Sequence, residues 1–149
     1  MAATRRAAEQ NYLSLYIDKA DGGLGLSRLT AALIFEQLAA GCDATTAYLT
    51  IHNRACWILA RFAGDALKTI WLPRMIAGEL PASYCLTEPD AGSDAAHLRT
   101  QARRDGDIYV LQGSKCFISG SGSTDVLIVM ARIGEDGAKG ISCFLVPAD

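Results

Sequence analysis

The hydrophobic pattern of this 149-residue sequence changes its period at segment 78–81, which reads GELP. Before this segment, apolar residues recur every three to five positions, which is typical of amphipathic α-helices. After it, short runs rich in β-branched and aromatic residues alternate with turn residues, which is typical of β-strands. We therefore predict an α+β chain, with part of an N-terminal helical domain at residues 1–80 and part of a β-domain at residues 81–149.

The first half of the sequence predicts three helices that pack as an antiparallel bundle. Their start and stop signals are Ser27 and Gly41 for the first helix, Asp43 and Gly64 for the second, and Asp65 for the third. Pro73 is expected to break or kink the third helix. The apolar stripes expected to pack are Leu29, Leu33, Ile34 and Leu38 in the first helix, Ala44, Tyr48, Ile51, Ala55, Ile58, Leu59 and Phe62 in the second, and Leu67, Ile70 and Trp71 in the third.

The second half predicts six short strands, at 83–86, 98–103, 108–111, 115–118, 126–131 and 141–146. The sequence DGD at 105–107 predicts a hairpin between the second and third strands. Because no helices lie between the strands, we expect an antiparallel sheet or small barrel rather than a parallel nucleotide-binding sheet. Such a sheet leaves an edge and an apolar face uncovered, so the chain is expected to be a fragment of a larger protein.

Composition excludes several classes of protein. Half of the residues are hydrophobic, which argues against disorder. With 14 Lys and Arg against 16 Asp and Glu, the net charge of −2 offers no cationic field for nucleic acid. Arg54, Arg61 and Lys68 interrupt the longest helical stretch, so no membrane span is predicted. No targeting segment is visible at the N-terminus.

The cysteines and histidines predict neither disulfides nor a metal site. The five cysteines are widely and irregularly spaced without a C-x-x-C pair, which favours a reducing compartment and ordinary packing. His52 and His97 lie in different halves of the chain, with no carboxylate or thiol cluster nearby in sequence. We interpret both as structural residues and expect His52 to pack on a helix face.

A candidate binding loop follows the first predicted strand. Its residues are Tyr84, Cys85, Leu86, Thr87, Glu88, Pro89, Asp90, Ala91, Gly92, Ser93 and Asp94. Pro89 stops the strand, and Gly92 lets the backbone approach a ligand. Backbone N–H groups and the hydroxyls of Thr87 and Ser93 can bond a polar heterocycle or a phosphate, with Tyr84 as part of an apolar wall. The same residues also suit a solvated turn, so their chemistry alone names no ligand.

Together with a second segment, GSKCFISG at 113–120, this loop resembles the paired flavin-binding motifs of the acyl-CoA dehydrogenase family. The order and separation of the two motifs match as well. The resemblance extends through GGLGLSRL at 22–29, TTAYLTIHN at 45–53 and KGISC at 139–143, where it is similar to the short-branched-chain group. It covers nearly the whole chain after about residue 15 and implies the family's order of helical domain, β-domain and helical domain.

The resemblance implies FAD as cofactor and gives each motif a position along it. Tyr84, Leu86 and Thr87 are expected beside the flavin ring, and Gly92 and Ser93 nearer the phosphates, with Ser93 also touching the acyl-CoA substrate. The second motif is expected to lie along the other flank of the flavin. All the residues implied to bind the cofactor are Tyr84, Cys85, Leu86, Thr87, Glu88, Pro89, Asp90, Ala91, Gly92, Ser93, Phe117, Ile118 and Ser119.

The family's reaction removes two hydrogens from an acyl-CoA, here a short branched-chain one such as isobutyryl-CoA. A glutamate of the C-terminal helical domain takes the α-proton, so no catalytic residue is assigned in this chain, and the isolated chain is expected to be inactive. The implied partners are an electron-transferring flavoprotein and further copies in a homotetramer. The implied location is the bacterial cytoplasm or the mitochondrial matrix.

Two alternatives to this function stay open at the level of sequence. One is a noncatalytic truncated product that associates with full-length subunits. The other is a flavoprotein oxidase built on the same scaffold, which oxygen reactivity of the flavin would distinguish from a dehydrogenase.

Overall fold

Four α-helices precede a five-stranded sheet in the computed structural model, which describes residues 2–148. The helices are α1 (Ala2–Glu9), α2 (Arg28–Gly41), α3 (Asp43–Phe62) and α4 (Asp65–Ile76). The strands are β1 (Ala82–Cys85), β2 (Gln101–Asp105), β3 (Ile108–Gln112), β4 (Val126–Arg132) and β5 (Ile141–Pro147). This order confirms the predicted α+β fold class.

The three predicted helices form close to their predicted ends. Ser27 caps α2 as expected, because its Oγ accepts the backbone N–H of Thr30 at 3.0 Å. Pro73 does not break α4, which continues to Ile76. The helix tolerates this proline because both Pro73 and Thr69, whose carbonyl loses its hydrogen-bond partner, are exposed to water. Helix α1 was not predicted, since its eight residues are too few to show an apolar period.

The packing faces predicted for α2 and α4 are correct only in part, since Leu38 of α2 and Trp71 of α4 pack against buried residues. Leu29 and Leu33 of α2 are 72% and 54% exposed, and Ala31 is the buried residue of that helix. In α4 the buried residues are Leu72 and Met75, while the predicted Leu67 and Ile70 are exposed. An apolar period shows that a helix has a face to cover, but it does not show which neighbour covers it. Of the predicted stripe on α3, Ala55 and Leu59 are buried and Phe62 is exposed.

The sheet is mixed, so the prediction of an antiparallel sheet is wrong in this respect. Strand β4 pairs parallel with β1 and, at one position, with β2, and it pairs antiparallel with β5. The predicted hairpin is confirmed, because β2 and β3 pair antiparallel around a turn in which Gly106 takes a φ of +62°. The chain between β1 and β4 loops out through this hairpin and returns, so β4 enters the sheet in the same direction as β1.

The predicted strand at 115–118 is absent from the sheet, and this stretch forms an irregular loop. Phe117 within it takes a φ of +55°, in the left-handed region that a strand residue does not occupy. The β-branched and aromatic composition of the stretch predicted a strand. The loop conformation is set instead by contacts with the segment after β1, described below.

The core lies between α3, α4 and the sheet, and His52 joins these three elements. Its Nδ1 accepts the backbone N–H of Ala82 at the start of β1 (3.1 Å). Its Nε2 donates to the carbonyl of Met75 near the end of α4 (3.0 Å). The ring is fully buried, which agrees with the prediction of a packing residue on a helix face. Because charging this ring would require desolvation of a cation, burial lowers its pKa to about 4.

Among residues 2–148, no helix is both long enough and apolar enough to cross a membrane. Within the same residues, no group of three or more His, Cys, Asp or Glu side chains is arranged to hold a metal ion.

Candidate functional site

Two loops that are distant in sequence lie side by side next to β1. The first loop, residues 86–94, follows β1, and the second loop, residues 113–120, lies between β3 and β4. The backbone N–H of Cys116 donates to the carbonyl of Thr87 at 2.9 Å. Behind this contact, the hydroxyl of Ser83 on β1 donates to the carbonyl of Ser119 at 2.6 Å. The structure therefore brings together the two segments that the sequence singled out.

A buried ion pair crosses between the loops. Lys115 Nζ lies 2.7 Å from Glu88 Oε1, and the two side chains are only 12% and 5% exposed. Lys115 also donates to the carbonyl of Leu86 at 3.0 Å. The carboxylate of Glu88 accepts two further hydrogen bonds, from the backbone N–H groups of Arg99 and Thr100. Every charged atom of the pair thus has a partner, as buried charges require.

Glu88 is held as an anion. Burial by itself raises the pKa of this carboxyl, but the hydrogen bonds from Lys115, Thr100 and Arg99 outweigh burial and lower its pKa to about 2. A carboxylate with so low an affinity for protons is a poor general base near neutral pH. Glu88 therefore contributes charge and hydrogen bonding at the site, and not proton abstraction.

Phe117 is the most unusual side chain of the second loop. It is 93% exposed although it is a large aromatic residue. Its backbone is left-handed, which costs a non-glycine residue about 1–2 kcal/mol. An apolar ring held in water by a strained backbone stabilises nothing within the described residues, so its position indicates a surface that receives a ligand or a partner.

The first loop places polar groups beside open space. A Cβ added at Gly92 would meet no atom within 4 Å, so the backbone there can be approached closely. Ser93 is exposed, and Thr87 is half-buried at the end of β1. On the second loop, Ser119 and Ile118 are half-buried. Hydroxyls and exposed backbone next to an apolar ring are the groups that can hold a polar heterocycle.

The remaining predicted site residues divide into an apolar wall and supporting positions. Tyr84 and Leu86 are half-buried, and the guanidinium of Arg54 lies 5.5 Å from the centre of the Tyr84 ring. Burial raises the pKa of the Tyr84 hydroxyl, which keeps it neutral. The side chains that point inward are Cys85, Glu88 and Ala91, and those exposed to solvent are Pro89 and Asp90. Of the inward-pointing residues, Glu88 supports the loop through its hydrogen bonds.

A cavity of about 320 Å³ adjoins the second loop and was not predicted. It lies between α3 and the loop, and its lining includes Thr45, Tyr48, Leu49, Gly120 and Ser123. The hydroxyl of Tyr48 is buried without a hydrogen-bond partner, and burial, with smaller effects of Cys56 and Asp125, raises its pKa to about 12. Nothing in the sequence indicates this cavity, because Tyr48 is there one member of an apolar helical stripe.

Gly120 allows the second loop to approach α3 so closely. Its φ is +83°, and a Cβ at this position would lie 2.6 Å from both the Tyr48 ring and the Thr124 methyl group. Only glycine fits this combination of backbone conformation and close contact.

Comparison with known families identifies the chain. The sequence model for the N-terminal domain of acyl-CoA dehydrogenases matches residues 1–79, and the model for their middle domain matches residues 83–149. The chain belongs to the acyl-CoA dehydrogenase family. This is a family of oxidoreductases, and the resemblance drawn from the two loop motifs is confirmed.

Relatives within the acyl-CoA dehydrogenase family include two mitochondrial isobutyryl-CoA dehydrogenases. The one from Bos taurus is 49% identical over 142 residues, which are 95% of this chain and 34% of the relative. The one from Dictyostelium discoideum is 47% identical over 146 residues, which are 97% of this chain and 35% of the relative. The chain thus spans about a third of the length of the curated relatives it matches.

A solved structure shows the same fold. The crystal structure of a glutaryl-CoA dehydrogenase from Mycobacterium smegmatis in complex with FADH2 is 31% identical and has a TM-score of 0.89. The match covers 98% of this chain and 37% of that chain.

Sequence reasoning missed three contributors to the site. Lys115 was assigned to a strand, and nothing in the sequence indicated that it pairs with Glu88. The backbone N–H groups of Arg99 and Thr100 were not considered, because hydrogen-bond geometry is invisible in a sequence.

Proposed function

We propose that this chain forms the flavin-binding part of an acyl-CoA dehydrogenase that oxidises a short branched-chain acyl-CoA such as isobutyryl-CoA. The observation that carries the proposal is the hydrogen-bonded contact between the two loops, with the Phe117 ring exposed on the second of them. The isobutyryl-CoA dehydrogenases to which the chain is similar support the choice of substrate.

The residues present fit an FAD molecule. An isoalloxazine ring has two apolar faces and a polar edge, and the loops offer an exposed aromatic ring, an apolar wall at Tyr84 and Leu86, and hydroxyl groups. We assign Thr87 and Ser119 to the polar edge of the ring. Gly92 and Ser93 offer exposed backbone and a hydroxyl, which suit the phosphates. Bound FAD would accept a hydride from the β-carbon of the substrate.

The acyl group is assigned to two features of the chain. Ser93 lines the thioester side of the pocket, as the resemblance implies. The acyl chain is assigned to the cavity beside Tyr48, between α3 and the second loop. These assignments stay proposals for this chain.

The α-proton is taken by a group other than Glu88. Its carboxylate is fully engaged with Lys115 and two backbone N–H groups, and its pKa of about 2 makes it a weak base. We therefore expect the 149 residues to bind and orient, with proton abstraction supplied by a residue elsewhere in the protein. The same proposal includes an electron-transferring flavoprotein as electron acceptor and a homotetramer as the assembly. It also includes a location in the bacterial cytoplasm or the mitochondrial matrix, and a division between the two domains at residues 80 and 81.

The experiment is an anaerobic titration of the FAD-loaded protein, in the full length that its gene encodes, with isobutyryl-CoA and with butyryl-CoA. Reduction of the flavin by the branched thioester at lower concentration than by the straight one supports the proposal. Loaded flavin that neither thioester reduces would contradict the dehydrogenase assignment. Rapid reoxidation of the reduced flavin by oxygen would indicate an oxidase instead.

A further inference from the structure

The ion pair between Glu88 and Lys115 is buried, and both side chains also bind backbone groups of other segments. Two charges are removed from water, which costs free energy unless every charged atom finds a partner. Each side chain of the pair also forms hydrogen bonds with the backbone of another segment. Lys115 holds the carbonyl of Leu86, and Glu88 holds the N–H groups of Arg99 and Thr100. The pair therefore ties three segments of chain at one point.

This point lies two residues before Phe117. The Phe117 ring is 93% exposed, so packing of the ring does not hold it in place. Its left-handed backbone is unfavourable and must be imposed by neighbouring contacts. Among the contacts that hold its neighbours are the Lys115 side chain and the hydrogen bond from the Cys116 N–H to the carbonyl of Thr87. Both join the second loop to the first.

We propose that the Glu88–Lys115 pair is the positioning element of the flavin site, which fixes the second loop against the first so that Phe117, Ser119 and Thr87 face one ligand. The inference rests on the proposed function, because it takes FAD as that ligand. Glu88 and Lys115 act through the loops and are positioning residues. Their effect on the cofactor is indirect.

The first experiment is independent of flavin. Chymotrypsin cleaves after exposed aromatic residues, so the rate of cleavage after Phe117 in the flavin-free protein, followed by mass spectrometry, reports how often the second loop leaves its place. We expect cleavage in Lys115→Met and Glu88→Gln to be about tenfold faster or more, and in Lys115→Arg to be close to the original rate. Arg103→Met is the matched control, because it breaks an exposed ion pair with Asp105 on the neighbouring hairpin.

The double variant Glu88→Gln/Lys115→Met keeps the test valid if the single variants fail to fold. It removes both charges together and so leaves no unpaired buried charge. Faster cleavage after Phe117 in this folded variant supports the proposal. An unchanged cleavage rate in the double variant and in both single variants would overturn it.

The second experiment measures FAD affinity and the visible circular dichroism of bound FAD. We expect the dissociation constant to rise about tenfold or more in Lys115→Met, to recover in Lys115→Arg, and to stay unchanged in Arg103→Met. The circular dichroism of bound flavin should change in Lys115→Met, because the Phe117 ring is then displaced relative to the flavin. Variants that bind FAD like the original protein, with an unchanged spectrum, would overturn the proposal while leaving the proposed function intact. If the unsubstituted protein binds no FAD, the proposed function is overturned. The cleavage rates would still test whether the Glu88–Lys115 pair holds the second loop against the first.

Discussion

Stability should fall as pH drops from about 6.5 to about 4, because His52 is buried as a neutral ring. The native ring has a pKa of about 4, whereas an unfolded chain has the ordinary value of about 6.5. Between these values the unfolded state binds a proton that the native state does not, so the free energy of unfolding rises with pH. At 1.36 kcal/mol per pH unit, the interval corresponds to about 3 kcal/mol.

The sign follows from the depressed pKa. The contribution of His52 is complete above pH 6.5, is lost progressively as pH falls toward 4, and decreases no further below that value. The titratable groups nearest the ring do not change charge over this range. Cys56 Sγ lies 3.4 Å from Nε2 and the Tyr48 ring centre 6.5 Å from the imidazole, and burial raises the pKa of both groups.

The assay is urea unfolding at a series of pH values from 3 to 8, for the original protein and for His52→Gln. The substitution is expected to destabilise the protein at every pH and to remove most of the slope between pH 4 and 6.5. His97→Gln is the matched control, since it replaces the other histidine of the chain, whose side chain is 78% exposed. An equal slope in the original protein and in His52→Gln would refute the reasoning.

Three further predictions concern the loops. The double variant Thr87→Ala/Ser119→Ala should weaken FAD binding by about 1–3 kcal/mol, one neutral hydrogen bond for each hydroxyl, and full flavin absorbance after extensive dialysis would show that these hydroxyls do not bind FAD. Ser93→Phe should weaken binding of isobutyryl-CoA more than binding of FAD, measured by titration of the flavin spectrum, and an unchanged thioester affinity would exclude contact at this position. Gly120→Ala should destabilise the protein by about 2–4 kcal/mol in urea unfolding, because the new methyl group adds left-handed strain and collides with Tyr48. Gly106→Ala has open space around the new methyl group, so it should cost only the left-handed strain of about 1–2 kcal/mol.

The sequence predicted features that depend on local chemistry. The change of period at 78–81, the cap at Ser27 and the hairpin around Gly106 each depend on residues within a few positions of one another, and each is found in the structure. The pairing of the two loops was inferred from resemblance, and the structure places them in contact.

Features that depend on distant partners were not predictable. The burial of Leu72 and Met75 instead of Leu67 and Ile70 depends on where the sheet lies, which the period of a helix does not contain. The parallel pairing of β1 with β4 depends on how the chain returns after the hairpin.

The same limit applied within the candidate site. The sequence assigned Lys115 to a strand because its neighbours have high strand propensity, and the structure shows a loop in which this lysine reaches Glu88. Propensity is a weak guide when a buried charge must find its partner. The high exposure of Phe117 does not follow from its residue type, since large aromatic residues are ordinarily well buried, and only the resemblance assigned this residue to a ligand.

The most direct test of the account is an FAD titration of the flavin-free protein, in the full length that its gene encodes, compared with Phe117→Ser. The account predicts saturable binding with a perturbed flavin spectrum. It also predicts an affinity about tenfold lower or more in Phe117→Ser, because the substitution removes the aromatic ring that we propose to lie along one flank of the flavin. Ile108→Ser, which removes an exposed apolar side chain from the hairpin, should bind FAD like the original protein. An original protein without saturable FAD binding, or a Phe117→Ser variant of unchanged affinity, would contradict the claim that the two loops form the flavin site.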